Sequence, residues 1–250
     1  MKSFLIGSLP FKDKEIALKF IKKFDIPTLC TLPQLDETEY MLHHAILGLK
    51  NFEYIRNRVH FKLTNKQISP FNFALENEFF DALNGEYKWQ AAGPVTLIET
   101  MEMHEYDEFL FNEYLEKIVL TQRKFNQLNN TPAYFFLDEP MLGTSIDLLD
   151  HLIRFKKALS DSGEFNNIKF GLHCCSKLET DLSKLDFDLI ALDFNLYSIS
   201  EWDELQKELE DKLVAIKWDS DMNENNYPFK VEKFVSSSCG QALCKRDDLL

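Results

Sequence analysis

This sequence has fewer basic than acidic residues, and it lacks long hydrophobic runs. The chain has 28 Lys and Arg against 41 Asp and Glu, a formal net charge of -13, which disfavours nucleic acid and acidic membrane surfaces as partners. No run approaches the roughly 20 apolar residues of a membrane span, and the apolar run after Met1 is too short for a signal peptide. We therefore expect a cytoplasmic protein.

Several common sites are also missing. The sequence contains no glycine-rich phosphate loop, no Ser-His-Asp order typical of a hydrolase and no basic patch with interleaved aromatics. Its five cysteines, two of them adjacent, do not suggest a disulfide framework in so large a chain. Reduced thiols, available to a metal, fit better.

What the chain does have is a regular alternation of strand and helix patterns. With 250 residues, 45% of them hydrophobic, and no linker, we expect one domain over residues 1–250. About eight strands with helices between them predict a (β/α)8 TIM barrel. The strands are predicted at 3–6, 27–32, 87–92, 133–137, 168–172, 189–192, 214–218 and 234–236. The helices are predicted at 13–24, 37–49, 70–83, from 95 onward, and at 106–128, 145–159 and 202–213, with a hairpin or excursion at 54–63.

Polar and special residues fall at the carboxyl ends of the predicted strands. Active sites of barrels lie at that end, so this placement favours an enzyme over a scaffold. These residues are Ser8, Gln34, Gly93, Asp138, Glu139, His173, Cys175, Asp193 and Cys239.

A zinc half-site is the most specific of these patterns. Side chains alternate along a strand, so His173 and Cys175 should point to one side and Cys174 to the other. An imidazole beside a thiolate suits zinc, and Cys239 follows another short apolar run. The alternative is that the cysteine is a small buried apolar residue and the histidine a satisfied core donor.

The acidic residues leave two interpretations each. Asp138 and Glu139, before Pro140, provide a base or a group that binds a substrate ammonium, or else a helix cap and a turn. Asp193 is a residue of the barrel mouth, with ligation of the metal as one role, or the cap of the following turn.

Taken together, the motifs resemble the barrel superfamily of cobalamin-independent methionine synthase and uroporphyrinogen decarboxylase, on the methionine synthase side. They occur in family order and span nearly the whole chain. They are Ile6-Gly7-Ser8-Leu9-Pro10, Pro33-Gln34-Leu35, Lys88-Trp89-Gln90-Ala91-Ala92-Gly93-Pro94-Val95-Thr96, Phe136-Leu137-Asp138-Glu139-Pro140, Gly171-Leu172-His173-Cys174-Cys175 and Ser238-Cys239-Gly240.

The resemblance implies a zinc-dependent methyltransferase that activates a small thiol, homocysteine being the leading candidate. His173, Cys175 and Cys239 would hold Zn²⁺, with Asp193 at the position of the family's fourth ligand, a glutamate. Ser8 and Asp138 would hold the amino-acid end of the substrate. Gln34 and Gly93 belong to the substrate-binding mouth, and Asp138 and Glu139 are the catalytic candidates.

The sequence departs from the family near its C-terminus. Only the polar stretch 219–230 separates the last two strands, so we expect a helical ring reduced there, covered by dimerisation or a partner subunit. The methyl donor stays open: without a second barrel, binding of a methylated folate as in the full synthase is disfavoured, and a methyl-corrinoid protein or another methyl donor becomes plausible. Two alternative functions stay open. One is a metal-free decarboxylase-type barrel, which needs a cationic mouth, and the other is a non-catalytic binding module in which zinc has only a structural role.

Overall fold

The structure, a computed structural model, describes seven stretches of the chain: 2–36, 39–49, 86–101, 108–128, 130–179, 182–217 and 233–236. Four expectations lie outside these residues. They are the excursion at 54–63, the helix at 70–83, the polar stretch 219–230 and the thiol of Cys239. None of the helices in the described part is long and apolar enough to cross a membrane.

Eight strands form one sheet, and every strand pairing described is parallel. The strands are β1 (Lys2–Phe4), β2 (Thr28–Leu29), β3 (Lys88–Ala92), β4 (Tyr134–Asp138), β5 (Lys169–Cys174), β6 (Leu189–Leu192), β7 (Leu213–Lys217) and β8 (Lys233–Ser236). From β2 to β8 each strand pairs with the next in the chain, and β8 pairs with β1. This confirms the predicted α/β architecture and its parallel sheet.

The two edge strands of the sheet, β1 and β2, approach each other. A single parallel bridge joins Phe4 and Ile26 just before β2, and the Ile26 amide donates to the Ser3 carbonyl at 2.9 Å. The sheet therefore curves far enough for its first and second strands to meet at one point.

Helices occupy the crossovers, as the apolar periodicity predicts. In the described residues they are α1 (Lys14–Ile21), α2 (Met41–Ile46), α3 (Pro94–Thr100), α4 (Glu108–Gln127), α5 (Leu149–Asp161) and α6 (Ile199–Glu208). Asp13 caps α1 by accepting from the amides of Glu15 and Ile16, and a capping box of Ser198 and Glu201 begins α6. Pro94 occupies the first turn of α3, where its missing amide costs nothing.

The outer face of the sheet packs on the helices through aromatic side chains. The Trp89 ring lies 4.5 Å from that of Phe135, which in turn lies 5.1 Å from Phe165 and 6.0 Å from Phe170. All four side chains are buried. This layer removes a large apolar area from water and supplies much of the stability of the sheet.

The inner face carries the alternate residues of the same strands. Phe136 lies 5.3 Å from Phe4, and its register partner is Gly171. A Cβ at Gly171 would come within 2.4 Å of the Phe136 ring, so the glycine makes room for the aromatic side chain. Beyond this apolar layer, toward the carboxyl ends of the strands, the inner residues become polar.

Candidate functional site

A cavity lies at the carboxyl ends of β1 to β4. The residues after the first two strands contribute Ser8 and Thr31, and β3 and β4 contribute Gln90 and Asp138. Side chains of α2 and α4 form the remaining wall. The structure thus brings two predicted substrate-binding residues, Ser8 and Asp138, into one cavity at the end of the sheet where barrel enzymes act.

Asp138 and His173 form the buried polar pair of this region. They are register partners on β4 and β5, 3% and 6% exposed, and His173 Nδ1 lies 3.5 Å from Asp138 Oδ1. That contact is too long for a good hydrogen bond, and Oδ1 has no hydrogen-bond partner among the described residues. A buried acceptor left unpaired is costly, which makes Asp138 the natural partner of a ligand's donor group.

The hydroxyl groups of Ser8 and Thr31 share a hydrogen bond, with 2.7 Å between their oxygens. Each oxygen keeps capacity for a ligand, since a hydroxyl both donates and accepts. Gln34, predicted to bind substrate, is exposed and is not among the residues that line the cavity.

Glu139 is turned away from the cavity, toward the start of α3. Its carboxylate accepts hydrogen bonds from the Val95 and Thr96 amides at 2.9 and 2.7 Å and from the Thr96 hydroxyl at 2.6 Å. Burial raises the pKa of Glu139 to about 7, although these hydrogen bonds lower it. Of the two adjacent carboxylates, Glu139 thus occupies the N-terminus of a neighbouring helix, and its predicted catalytic role stays a prediction.

The position of the Glu139 side chain explains why residue 93 is a glycine. A Cβ at Gly93 would lie 2.1 Å from the Glu139 side chain. The residue before α3 must therefore lack a side chain for Glu139 to reach the helix amides. This close approach accounts for the glycine without a substrate, and a substrate contact at Gly93 stays a prediction.

The two adjacent cysteines differ in burial. Cys174 is buried in the layer between sheet and helices, where its sulfur lies 3.1 Å from the Ser176 hydroxyl oxygen. Burial raises the pKa of the Cys174 thiol. Cys175 follows the strand and is half-buried. Cys175 is therefore the more exposed residue of the two.

A complete metal centre is not present in the described part of the chain. No group of three or more His, Cys, Asp or Glu side chains there could hold a metal ion. Asp193, the expected fourth ligand, accepts a hydrogen bond from the Asn195 amide at 3.1 Å, which is the capping role of the alternative interpretation. Cys239 lies outside the described residues, so the ligand set stays a prediction.

Sequence reasoning assigned no role to two buried polar residues of β3, Lys88 and Gln90. They stand at alternate positions of a strand whose intervening residue is Trp89. Lys88 is fully buried and donates to the Leu5 carbonyl at 2.9 Å. The signal was a polar residue at every second position of a strand expected to be buried, which marks one polar face.

The wall formed by α2 and α4 carries a second buried cation. Lys117 donates to the carbonyls of Ala45 and Leu47 at 3.1 and 2.8 Å, and also to that of His44. Burial lowers the pKa of Lys117 to about 7, and burial beside Lys117 lowers that of His44 to about 3. Lys117 thus caps the carboxyl end of α2, and the imidazole beside it is neutral.

The fold is similar to that of a solved enzyme. A B12-independent methionine synthase from Shewanella sp. W3-18-1, in complex with selenomethionine, matches with a TM-score of 0.62 and 14% sequence identity, over 98% of this chain and 92% of that chain. At this identity the likeness concerns the fold. No protein-family model matches the sequence, and no curated protein matches it.

Proposed function

We propose that this protein is a methionine synthase-like (β/α)8 barrel that transfers a methyl group to a small thiol, with a homocysteine-like amino acid as acceptor. The observation that carries the proposal is the unpaired, buried Asp138 carboxylate oxygen in a cavity shared with Ser8. The fold of the Shewanella enzyme and the order of the sequence motifs support it. The bridge between Phe4 and Ile26 is the point at which the barrel would close.

Asp138 binds the ammonium group of the acceptor in this proposal. A carboxylate with a free lone pair attracts a cation more strongly when it is buried from water, as Asp138 is. Ser8 and Thr31 offer hydroxyl groups to the same end of the ligand. With its amino-acid end held, the thiol is oriented instead of free to rotate, and orientation is a large part of the rate gain in a transfer between two bound groups.

Zinc would be held by His173, Cys175 and Cys239. His173 fits, because its Nδ1 is on the side of Asp138, 3.5 Å from Oδ1, which leaves Nε2 for a metal. Cys175 directly follows the strand, two residues after His173, and is half-buried. Bound zinc favours the thiolate form of a coordinated thiol at neutral pH. Asp193, already a cap, is the weakest candidate for a fourth ligand.

Metal content tests the proposal, with the two adjacent cysteines as matched variants. Protein purified under reducing conditions without chelator is expected to carry about one zinc per chain. Cys175→Ser and Cys239→Ser should lose it, whereas Cys174→Ser should keep it because that sulfur lies in the outer layer. Zinc at the same level in all three variants would contradict the ligand set.

Methyl transfer is measured next, with L-homocysteine as acceptor and either a methyl-corrinoid protein or methyltetrahydrofolate as donor. We expect zinc-dependent formation of methionine with one of the donors. Asp138→Asn should raise the KM for homocysteine, because the ammonium loses its counter-charge. Zinc binding without transfer from either donor would instead identify the non-catalytic module.

A further inference from the structure

We propose that Gln90 is the residue that recognises the carboxylate of the ligand and that Lys88 is the positioning residue that holds it in place. The inference rests on the proposed function for the identity of the ligand, a small amino acid. It adds a recognition element for the carboxylate to a cavity whose predicted ligand contacts were Ser8 and Asp138. It is carried by the contacts of two residues on β3.

Lys88 is an unusual residue for the interior of a sheet. It is fully buried, and its ammonium lies 4.5 Å from the centre of the Phe136 ring and 5.4 Å from that of Phe4. Cation–π contacts of this kind stabilise a desolvated cation. The ammonium also donates to the Leu5 carbonyl and to Gln90 Oε1, which anchors it between β1 and β3.

The contact with Lys88 distinguishes the amide oxygen of Gln90 from its amide nitrogen. An ammonium has only donors, so it must meet the amide oxygen and never the amide nitrogen. The Nε2 group, with its two hydrogens, is therefore directed away from Lys88. A cation on the oxygen also polarises the amide and makes the Nε2 hydrogens better donors.

Gln90 lines the cavity together with Asp138. It is 8% exposed, and its Nε2 donates no hydrogen bond within the described residues. The cavity thus holds an unpaired acceptor on Asp138 and an unpaired donor on Gln90, contributed by the neighbouring strands β3 and β4. A ligand that bears both an ammonium and a carboxylate complements the two together.

Binding of matched ligands to Gln90→Glu tests the inference. Glutamate keeps an oxygen for Lys88 and replaces the donating Nε2 by a second, negatively charged oxygen. L-Methionine is compared by calorimetry with 3-(methylthio)propylamine, which lacks only the carboxylate. We expect the wild type to prefer L-methionine, and Gln90→Glu to lose at least about tenfold in affinity for L-methionine but none for the amine.

Gln122→Glu is the matched control. Gln122 is a buried glutamine of α4 whose Oε1 accepts from the Trp89 indole at 3.0 Å and whose Nε2 donates to Asn126 Oδ1 at 2.8 Å. Gln122 is not itself among the residues that line the cavity, although its partner Trp89 is. Both ends of its amide are already paired within the protein, so its substitution should lower stability and leave the preference between the two ligands unchanged. Gln90→Met serves as a second variant in case Gln90→Glu does not fold, and it should also remove the preference.

The outcomes separate this inference from the proposed function. The pair L-norleucine and pentylamine, which contain no sulfur, is measured beside the sulfur pair. A carboxylate preference that depends on Gln90 in either pair supports the inference even if no zinc or methyl transfer is found. Methyl transfer with an unchanged KM for homocysteine in Gln90→Glu overturns the inference alone. Equal binding of acid and amine by the wild type, or no binding of any of the four, also overturns it.

Discussion

The two faces of the sheet are built from the same strands but carry different kinds of side chain. On β3 and β4 the outward residues Trp89 and Phe135 are aromatic and packed against one another. The inward residues Lys88, Gln90 and Asp138 are polar and buried. Burial is equally deep on both faces, so burial alone does not distinguish a residue that stabilises the fold from one that awaits a ligand.

The two faces differ in whether their side chains need hydrogen-bond partners. The aromatic side chains of the outer face give up no hydrogen bonds to water when they are buried. The inner face contains a buried carboxylate oxygen without a hydrogen-bond partner at Asp138, in a cavity that Gln90 also lines. Natural proteins keep such unfavourable groups chiefly where function requires them. The comparison therefore predicts that mutations on the two faces will have opposite effects on stability.

Phe135→Ala should have the largest effect. Its ring contacts Trp89, Phe165 and Phe170. Truncation of this fully buried Phe leaves a cavity that the surrounding residues of the sheet cannot fill by shifting. We expect the free energy of unfolding to fall by about 3–5 kcal/mol, measured by urea denaturation. Leu120→Ala on α4, where the side chain is 44% exposed, is the control and should change it by less than about 1 kcal/mol.

A decrease in the free energy of unfolding of Phe135→Ala no larger than that of Leu120→Ala would contradict the proposed difference between the two faces. It would mean that the outer aromatic layer repacks easily and that the stability of the sheet resides elsewhere.

The contrast between the faces was predictable from the sequence only in part. The strand positions followed from apolar runs, and the opposite placement of Cys174 and His173 followed from period-two alternation. Boundaries shifted, as for β5, predicted at 168–172 and observed as Lys169–Cys174. Where a strand ends depends on hydrogen bonds to its neighbours, and those partners are distant in sequence.

The roles of the adjacent carboxylates could not be predicted in the same way. Asp138 and Glu139 are neighbours, and the sequence left both as candidates for a base, a ligand contact or a cap. Glu139 caps α3, which begins 45 residues earlier in the chain at Pro94. Such a cap depends on tertiary packing and on the missing side chain of Gly93. Gln90 was missed because its significance depends on Lys88 contacting its amide.

Stability as a function of pH provides the second prediction, of intermediate size. The pKa of Glu139 is raised to about 7 from an ordinary value of 4.5, so the folded protein binds its proton more tightly than the unfolded chain. The resulting stabilisation is complete below about pH 4.5 and is lost as the pH rises through about 7. Glu139→Gln removes this titration.

The measurement compares unfolding free energies of the wild type and Glu139→Gln between pH 4.5 and 8. The wild type should lose about 3 kcal/mol relative to the variant across this range, and other titrating groups cancel in the difference. A difference that does not vary with pH would show that the helix amides compensate fully for burial.

Asp138→Asn should have the smallest effect and the opposite sign. The substitution removes a charge whose oxygen is buried without a hydrogen bond and which also raises the pKa of Glu139. We expect the ligand-free protein to become more stable by up to about 1 kcal/mol while affinity for an amino acid falls. Asp13→Asn is the control: Asp13 accepts from two helix amides, and asparagine caps about as well, so stability should stay nearly constant. If Asp138→Asn instead destabilised the protein by more than Asp13→Asn does, Asp138 would stabilise the fold and would not be kept for a ligand. The polar side chains of the inner face would then stabilise the sheet through contacts with one another, as the aromatic side chains of the outer face do.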